Sequence, residues 1–173
     1  MAGMAAALLI TGTVGVGKTS VADAAGDVLA DEGVPNAVID LDWLRRSWPS
    51  PPGDPFNGGL ALRNLRAVAA NFLASGAERL VLAGVIEDRG ERARYEEALG
   101  VPLTVCRVRL PLAETRRRLR GRHVLDPEGL DWHLARAGEL AAILDTAKVE
   151  DFSVDGTSAP RRVAEEAIGR WRP

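Results

Sequence analysis

A chain of 173 residues is long enough to bury one sizeable core and short for two, so a single domain spanning 1–173 is expected. Its 22 Lys+Arg against 24 Asp+Glu leave a net charge of −2, which offers no general attraction to nucleic acid or to an anionic membrane. One cysteine, Cys106, excludes an internal disulfide and fits a reducing, cytoplasmic setting; its apolar neighbours make it a strand residue and not a nucleophile.

The apolar run 4–10 lacks a basic flank and a cleavage site, and it reads as a first strand at 6–10, not as a signal peptide. It leads straight into Gly12-Thr13-Val14-Gly15-Val16-Gly17-Lys18-Thr19-Ser20, a G-x-x-x-x-G-K-[ST] loop. The glycines allow a turn that aims backbone N–H groups at an anion, Lys18 carries a charge that reaches β- and γ-phosphates, and the Thr19 hydroxyl is placed for Mg²⁺. A helix predicted over 18–29 points its positive end at the same place. Nucleotide contacts are therefore expected from Gly12, Val14, Gly15, Val16, Gly17, Lys18, Thr19 and Ser20.

Further apolar runs at 37–41, 79–85, 103–108 and 152–154 alternate with segments of helical period at 60–75, 89–99, 112–121, 130–146 and 160–171, the pattern of a parallel sheet with crossover helices. The second of these strands ends in Asp40-Leu41-Asp42-Trp43-Leu44-Arg45. Ligands of open α/β sheets bind beyond the carboxyl ends of the strands, where a carboxylate can hold Mg²⁺ or orient an attacking hydroxyl. Asp42 lies further out than Asp40 and is preferred for that work; the alternative is that Asp42 merely caps a short helix. The proline-rich run 48–55 cannot be helix or central strand, and a loop at about 47–59 is either a binding loop or a plain connector. In the next helix Leu60, Leu65, Val68, Ala69, Phe72 and Leu73 form a core-facing stripe.

Five arginines fall within 116–122, and Arg118 and Arg122 sit at i,i+4 spacing where charge on a transferred group could be met. A turn-rich break follows, either a short lid at about 121–130 or a surface connector. Beyond it His133 and Arg136 share a helix face; the histidine reads as an ordinary hydrogen-bonded surface residue. The run from Asp155 to Pro160 is either a base-bracketing loop or a helix start capped by Ser158. No His or Cys cluster has metal-ligand spacing.

As an ordered set these elements resemble the small P-loop metabolite kinases. The segment Asp40 to Arg45 is similar to the D-G-D-x-x-R element of adenylylsulfate kinases, and the chain also resembles chloramphenicol phosphotransferase-like and gluconate kinase-like proteins. The resemblance covers essentially the whole chain. It implies a P-loop NTPase fold, three-layer α/β/α with a five-stranded parallel sheet of order 2-3-1-4-5, and ATP with Mg²⁺ as the means of passing a γ-phosphoryl group to a hydroxyl of a small molecule. The resemblance makes Asp42 the base or acceptor-orienting group; together with the readings above, Lys18, Asp42, Arg118, Arg122 and Arg136 are expected to carry the chemistry, Arg118 and Thr157 also to meet the nucleotide, and Thr19 with Asp42 to serve Mg²⁺. The acceptor would be met by Asp40, Asp42, Arg45, Asn64, Glu87 and Arg89. Two departures stand out. Gly84-Val85-Ile86-Glu87-Asp88-Arg89 lacks the I-S-P-x-R pattern of an adenylylsulfate kinase, and no apolar run ending in one dominant Asp marks a second metal-binding strand, leaving Glu87 and Asp88 as candidates.

Rival classes are a regulatory ATPase or nucleotide-binding module, which needs no acceptor, and a polynucleotide kinase, which the acidic balance argues against. A GTPase is disfavoured because no N-K-x-D segment occurs. The partners expected are a nucleotide and a small acceptor, with no nucleic acid and no membrane, on a monomer or homodimer.

Overall fold

Runs of Val, Leu, Ile and Ala with no polar alternation form central strands buried on both faces, and here the whole sheet pairs in parallel. In the computed structural model, which describes residues 4–123, 126–171 and 173, the strands are β1 (Ala6–Thr11), β2 (Asn36–Asp40), β3 (Arg79–Ala83), β4 (Leu103–Arg109) and β5 (Phe152–Asp155), in the order β2-β3-β1-β4-β5. The helices are α1 (Lys18–Asp31), α2 (Leu41–Leu44), α3 (Gly58–Ala74), α4 (Arg89–Leu99), α5 (Leu112–Arg122), α6 (Pro127–Ala147) and α7 (Pro160–Arg170). The fold class and strand order agree with those expected.

Alternation along β1 feeds two cores. Leu8 and Ile10 pack with Val81, Cys106, Val108 and the buried faces of α1 and α7. Ala7 and Leu9 face the other way, towards Leu65 of α3, Tyr95 of α4 and Leu144 of α6. Cys106 is wholly buried, and burial pushes its thiol up to about 12, which leaves it inert at neutral pH.

Four local differences separate the structure from the sequence expectation. The one-turn α2 was not expected as an element; four residues carry no readable period. The helix predicted from 130 begins at Pro127, because Asp126 caps it by accepting from the Gly129 N–H at 3.1 Å and proline suits the first turn. In α3 the buried seam is Ala61, Leu65 and Ala69, with Phe72 38% exposed, so the stripe is rotated toward the small residues. The lid expected at about 121–130 is divided between the end of α5 and the start of α6, and its Val124 and Leu125 lie outside the described residues. Among the described residues no helix is long and apolar enough to cross a membrane.

The turn after β1 depends on glycine at two points. At Gly12 a Cβ would lie 2.7 Å from Val16 Cγ2 and 2.8 Å from the Val108 carbonyl oxygen, and Gly15, at φ 85°, would press one to 2.9 Å from Leu119 Cγ.

Candidate functional site

The loop between β1 and α1 opens onto a cleft of about 1130 Å³ at the carboxyl ends of the strands. Val14 through Ser20 form its floor. Gly17 stands at the N-cap of α1 with no side-chain cap, so the first-turn N–H groups are left for an anion. Lys18 Nζ donates to the Thr13 carbonyl at 3.1 Å. Burial lowers its pKa to about 8; Asp42 and then Asp40 oppose that shift, and Arg122 adds to it. An ammonium under this strain gains from an arriving phosphate charge.

Two carboxylates stand beside Lys18, and they are not equivalent. Asp40, at the last position of β2, receives the Asp42 N–H on Oδ1 at 2.9 Å and the Thr19 hydroxyl on Oδ2 at 3.1 Å. The cap of α2 is thus Asp40, and the capping role weighed for Asp42 falls to its neighbour. The Asp42 side chain is exposed and lines the cleft. Thr19 and Asp40 offer two hard oxygens, a donor set that suits Mg²⁺ completed by phosphate oxygens and water. Among the described residues no group of three or more His, Cys, Asp or Glu is placed to hold a metal on its own.

On the far side, Arg45 reaches into the cleft with Nη2 donating to the Tyr95 hydroxyl at 3.1 Å, and its backbone carbonyl accepts from Asn57 Nδ2 at 2.8 Å. Glu87 and Glu91 line the same wall; Glu91 Oε2 accepts the Glu87 N–H at 2.8 Å. Arg136 comes across from α6 and pairs with Glu87, with a second contact to Glu139 at 3.0 Å. Arg118 and Arg122 of α5 also line the cleft, Arg118 donating to the Gly156 carbonyl at 3.1 Å and pairing with Glu114 at 3.3 Å.

Several residues expected here are engaged elsewhere. Asn64 is turned to the Leu44 carbonyl, to which it donates at 2.7 Å, and Arg89 donates to the Lys148 carbonyl at 3.1 Å. Neither they nor Gly12, Asp40 or Thr157 are among the cleft-lining residues. The Thr157 N–H is held by Asp155 at 2.8 Å; Gly156 and Ser158 line the cleft in its place, and the cap of α7 is Ala159, not Ser158. The run 48–55 stays outside too, with Trp48 93% exposed.

Sequence reasoning gave no site role to Glu91, His123 or Leu140, which line the cleft with Trp132 and His133. His133 stacks on His123 with ring centroids 4.6 Å apart and meets Trp132 edge-on at 4.9 Å. The spacing Trp132, Arg136, Leu140, one face of a helix at i, i+4, i+8, was the signal that could have found this wall.

Comparison with known proteins agrees with this architecture. A probable adenylyl-sulfate kinase of Aeropyrum pernix is 32% identical over 136 residues, 76% of this chain and 69% of that one. The Mycobacterium tuberculosis APS kinase, solved with AMPPNP and APS, superposes with a TM-score of 0.62 at 25% identity over 96% of both chains. The tunicamycin resistance protein of Deinococcus radiodurans shares the fold at a TM-score of 0.68 and 19% identity, over 96% of this chain and 95% of its own. No family model matches the chain. With a phosphate loop, a parallel sheet of this order and a relative of this similarity, the chain belongs to the P-loop small-molecule kinases.

Proposed function

We propose that this protein transfers the γ-phosphoryl group of ATP to a hydroxyl of a small metabolite or natural product. The observation that carries the reading is the single cleft joining the phosphate loop to Asp42, a carboxylate that caps nothing. A regulatory ATPase would need no such second compartment; the cleft runs on from Lys18 to Arg45, Glu87, Glu91 and Arg136.

In this reading the backbone N–H groups of the loop and Lys18 hold the β- and γ-phosphates, and Arg118, Gly156 and Ser158 border the nucleoside. Thr19 and Asp40, the latter in place of the Asp42 expected from the sequence, would hold Mg²⁺, which would supply charge neutralisation for the phosphates. Asp42 accepts the hydrogen bond of the acceptor hydroxyl, aims its oxygen at the γ-phosphorus and takes its proton as the O–P bond forms and the bond to the β-phosphate oxygen breaks. Arg122 is placed to meet the charge spread over the moving group. Phosphoryl transfer asks a protein mainly to position and neutralise, and these residues do both.

Labelled ATP and Mg²⁺ incubated with pools of metabolites, beside an acceptor-free control, test the reading. Acceptor-dependent labelling of a product is the expected result; phosphate release that no acceptor accelerates would replace the kinase with an ATPase.

A further inference from the structure

Three arginines that line the cleft are held in two ways. Arg118 is matched by Glu114, and Arg136 by Glu87 and Glu139. Arg45 pairs with no carboxylate among the described residues; its Nη2 donates to the Tyr95 hydroxyl at 3.1 Å, and its Nε is buried without a partner. Glu91 stands near enough for Arg45 to oppose the rise that burial imposes on its carboxyl, yet the two form no ion pair. One bond to a neutral group therefore sets the direction of the Arg45 guanidinium.

A neutral anchor differs from a carboxylate in what it leaves over. A carboxylate aims a guanidinium and cancels most of its charge, whereas a phenol hydroxyl aims it and leaves the charge free. Tyr95 of α4 suits that work: it is 3% exposed and shares the core of Leu9 and Leu65, so its ring is fixed. Burial raises its pKa, with Arg45 working against the rise and Glu91 adding to it, and the group stays a neutral hydroxyl at neutral pH. The cleft as a whole sets five cations, Lys18, Arg45, Arg118, Arg122 and Arg136, against the three carboxylates Asp42, Glu87 and Glu91. In the kinase reading the phosphates take Lys18 and Arg122, the nucleoside is bordered by Arg118, and Arg136 is already matched. The unspent cation of the acceptor wall is Arg45.

Resting on the kinase reading above, we propose that Tyr95 is the positioning residue of this wall: it aims Arg45 without neutralising it, and the acceptor is a hydroxylated compound whose negatively charged group meets that guanidinium while its hydroxyl lies at Asp42. Bond making is unchanged, with the hydroxyl proton passing to Asp42 and ADP leaving. Tyr95 acts only through Arg45 and takes no part in the transfer.

The test has two stages. Labelled ATP, Mg²⁺ and the protein are incubated with three separate pools: hydroxy acids with phosphorylated or sulfated alcohols, uncharged polyols and glycosides, and amino alcohols. Labelling concentrated in the anionic pool is expected. Labelling confined to the other pools, or spread evenly over all three, overturns the assignment and leaves the kinase standing, whereas no labelled product in any pool overturns both. In the second stage Tyr95→Phe is assayed with the anionic acceptor so found and with its uncharged analogue. A KM at least about tenfold higher for the anionic compound alone, with kcat and ATP affinity within a few-fold, is expected. In an Arg45→Gln background the same substitution should change that KM by less than about twofold, because the bond it removes is already gone. An equal rise for both compounds, no rise, or effects that add in the double variant remove Tyr95 from acceptor positioning. Tyr95 is the one tyrosine of the chain, so fluorotyrosine gives a single fluorine NMR line without any substitution. Saturating anionic acceptor should move that line, and Arg45→Gln should abolish the movement; a line that stays in place overturns the proposal however the phenylalanine variant folds.

Discussion

At the scale of single residues the cleft separates tasks between neighbours that look alike. Asp42→Asn keeps size and local helix geometry, so turnover should fall roughly 10²-fold or more while ATP affinity stays within a few-fold, because the lost interaction belongs to the transfer step. Asp40→Ala should act differently: it removes the cap of α2, costing about 1 kcal/mol, and weakens the Mg²⁺ titration through Thr19; measuring melting temperature and Mg²⁺ dependence for both variants separates the roles. Lys18 offers a test by pH. Its pKa of about 8 in the empty protein should rise when phosphates bind, so nucleotide binding takes up a proton above pH 8, and affinity declines as pH rises from there. Calorimetry at pH 8.5 in two buffers of different ionisation enthalpy should detect that proton, and Lys18→Met should abolish both the signal and phosphoryl transfer. The sign for stability follows from the same shift. A lysine whose pKa is lowered by folding penalises the folded state below about pH 8, and the penalty shrinks toward the ordinary value of 10.5, so the empty protein should become more stable across that window unless Lys18 is replaced.

At the scale of elements, the loop between α2 and α3 is braced where a mobile lid would be free. Asp54 accepts the N–H groups of Gly58 and Leu60 at 2.7 and 2.9 Å, and Asn57 donates to the carbonyls of Arg45 and Ser47. Asn57→Ala should therefore cost about 1–2 kcal/mol, as loss of a buried side-chain donor does, and should raise the acceptor KM by releasing Arg45; chemical denaturation and steady-state kinetics check the two effects. The strands and long helices were legible in the sequence because burial on both faces writes continuous apolar runs and because period 3.6 persists over several turns. The short α2 was not, and with it went the assignment of cap: two aspartates two residues apart look alike until the chain bends between them. Asn64 and Arg89 lie on helices whose rotation is set by packing, about 100° per residue, so reading them toward the cleft needed a crossing angle that no local pattern contains. The same holds for the pairing of Arg136 with Glu87, 49 positions apart in the chain.

At the scale of the whole molecule, the phosphate floor and the acceptor wall come from different layers, and ligands should tie them together. A nucleotide present at about 100 times its Kd should add roughly 2.7 kcal/mol to stability by mass action, read as a rise in melting temperature. An ATP analogue with Mg²⁺ should also alter tryptophan emission, chiefly through Trp132 at the cleft, and Trp132→Phe should remove most of that change.

The strand order has a further consequence. The nucleotide loop grows from β1, which is paired on both sides, while Asp40 and the start of α2 grow from β2, which is paired only to β3. Amide hydrogens of β1 should thus exchange only by global unfolding, and those near the end of β2 by cheaper local opening. On the proposed function, a chain built this way would keep its energy source in the part that cannot change without unfolding and its choice of substrate at the periphery. New acceptors can then be explored by substitutions around β2, α2 and α4 at little risk to the machinery that spends ATP.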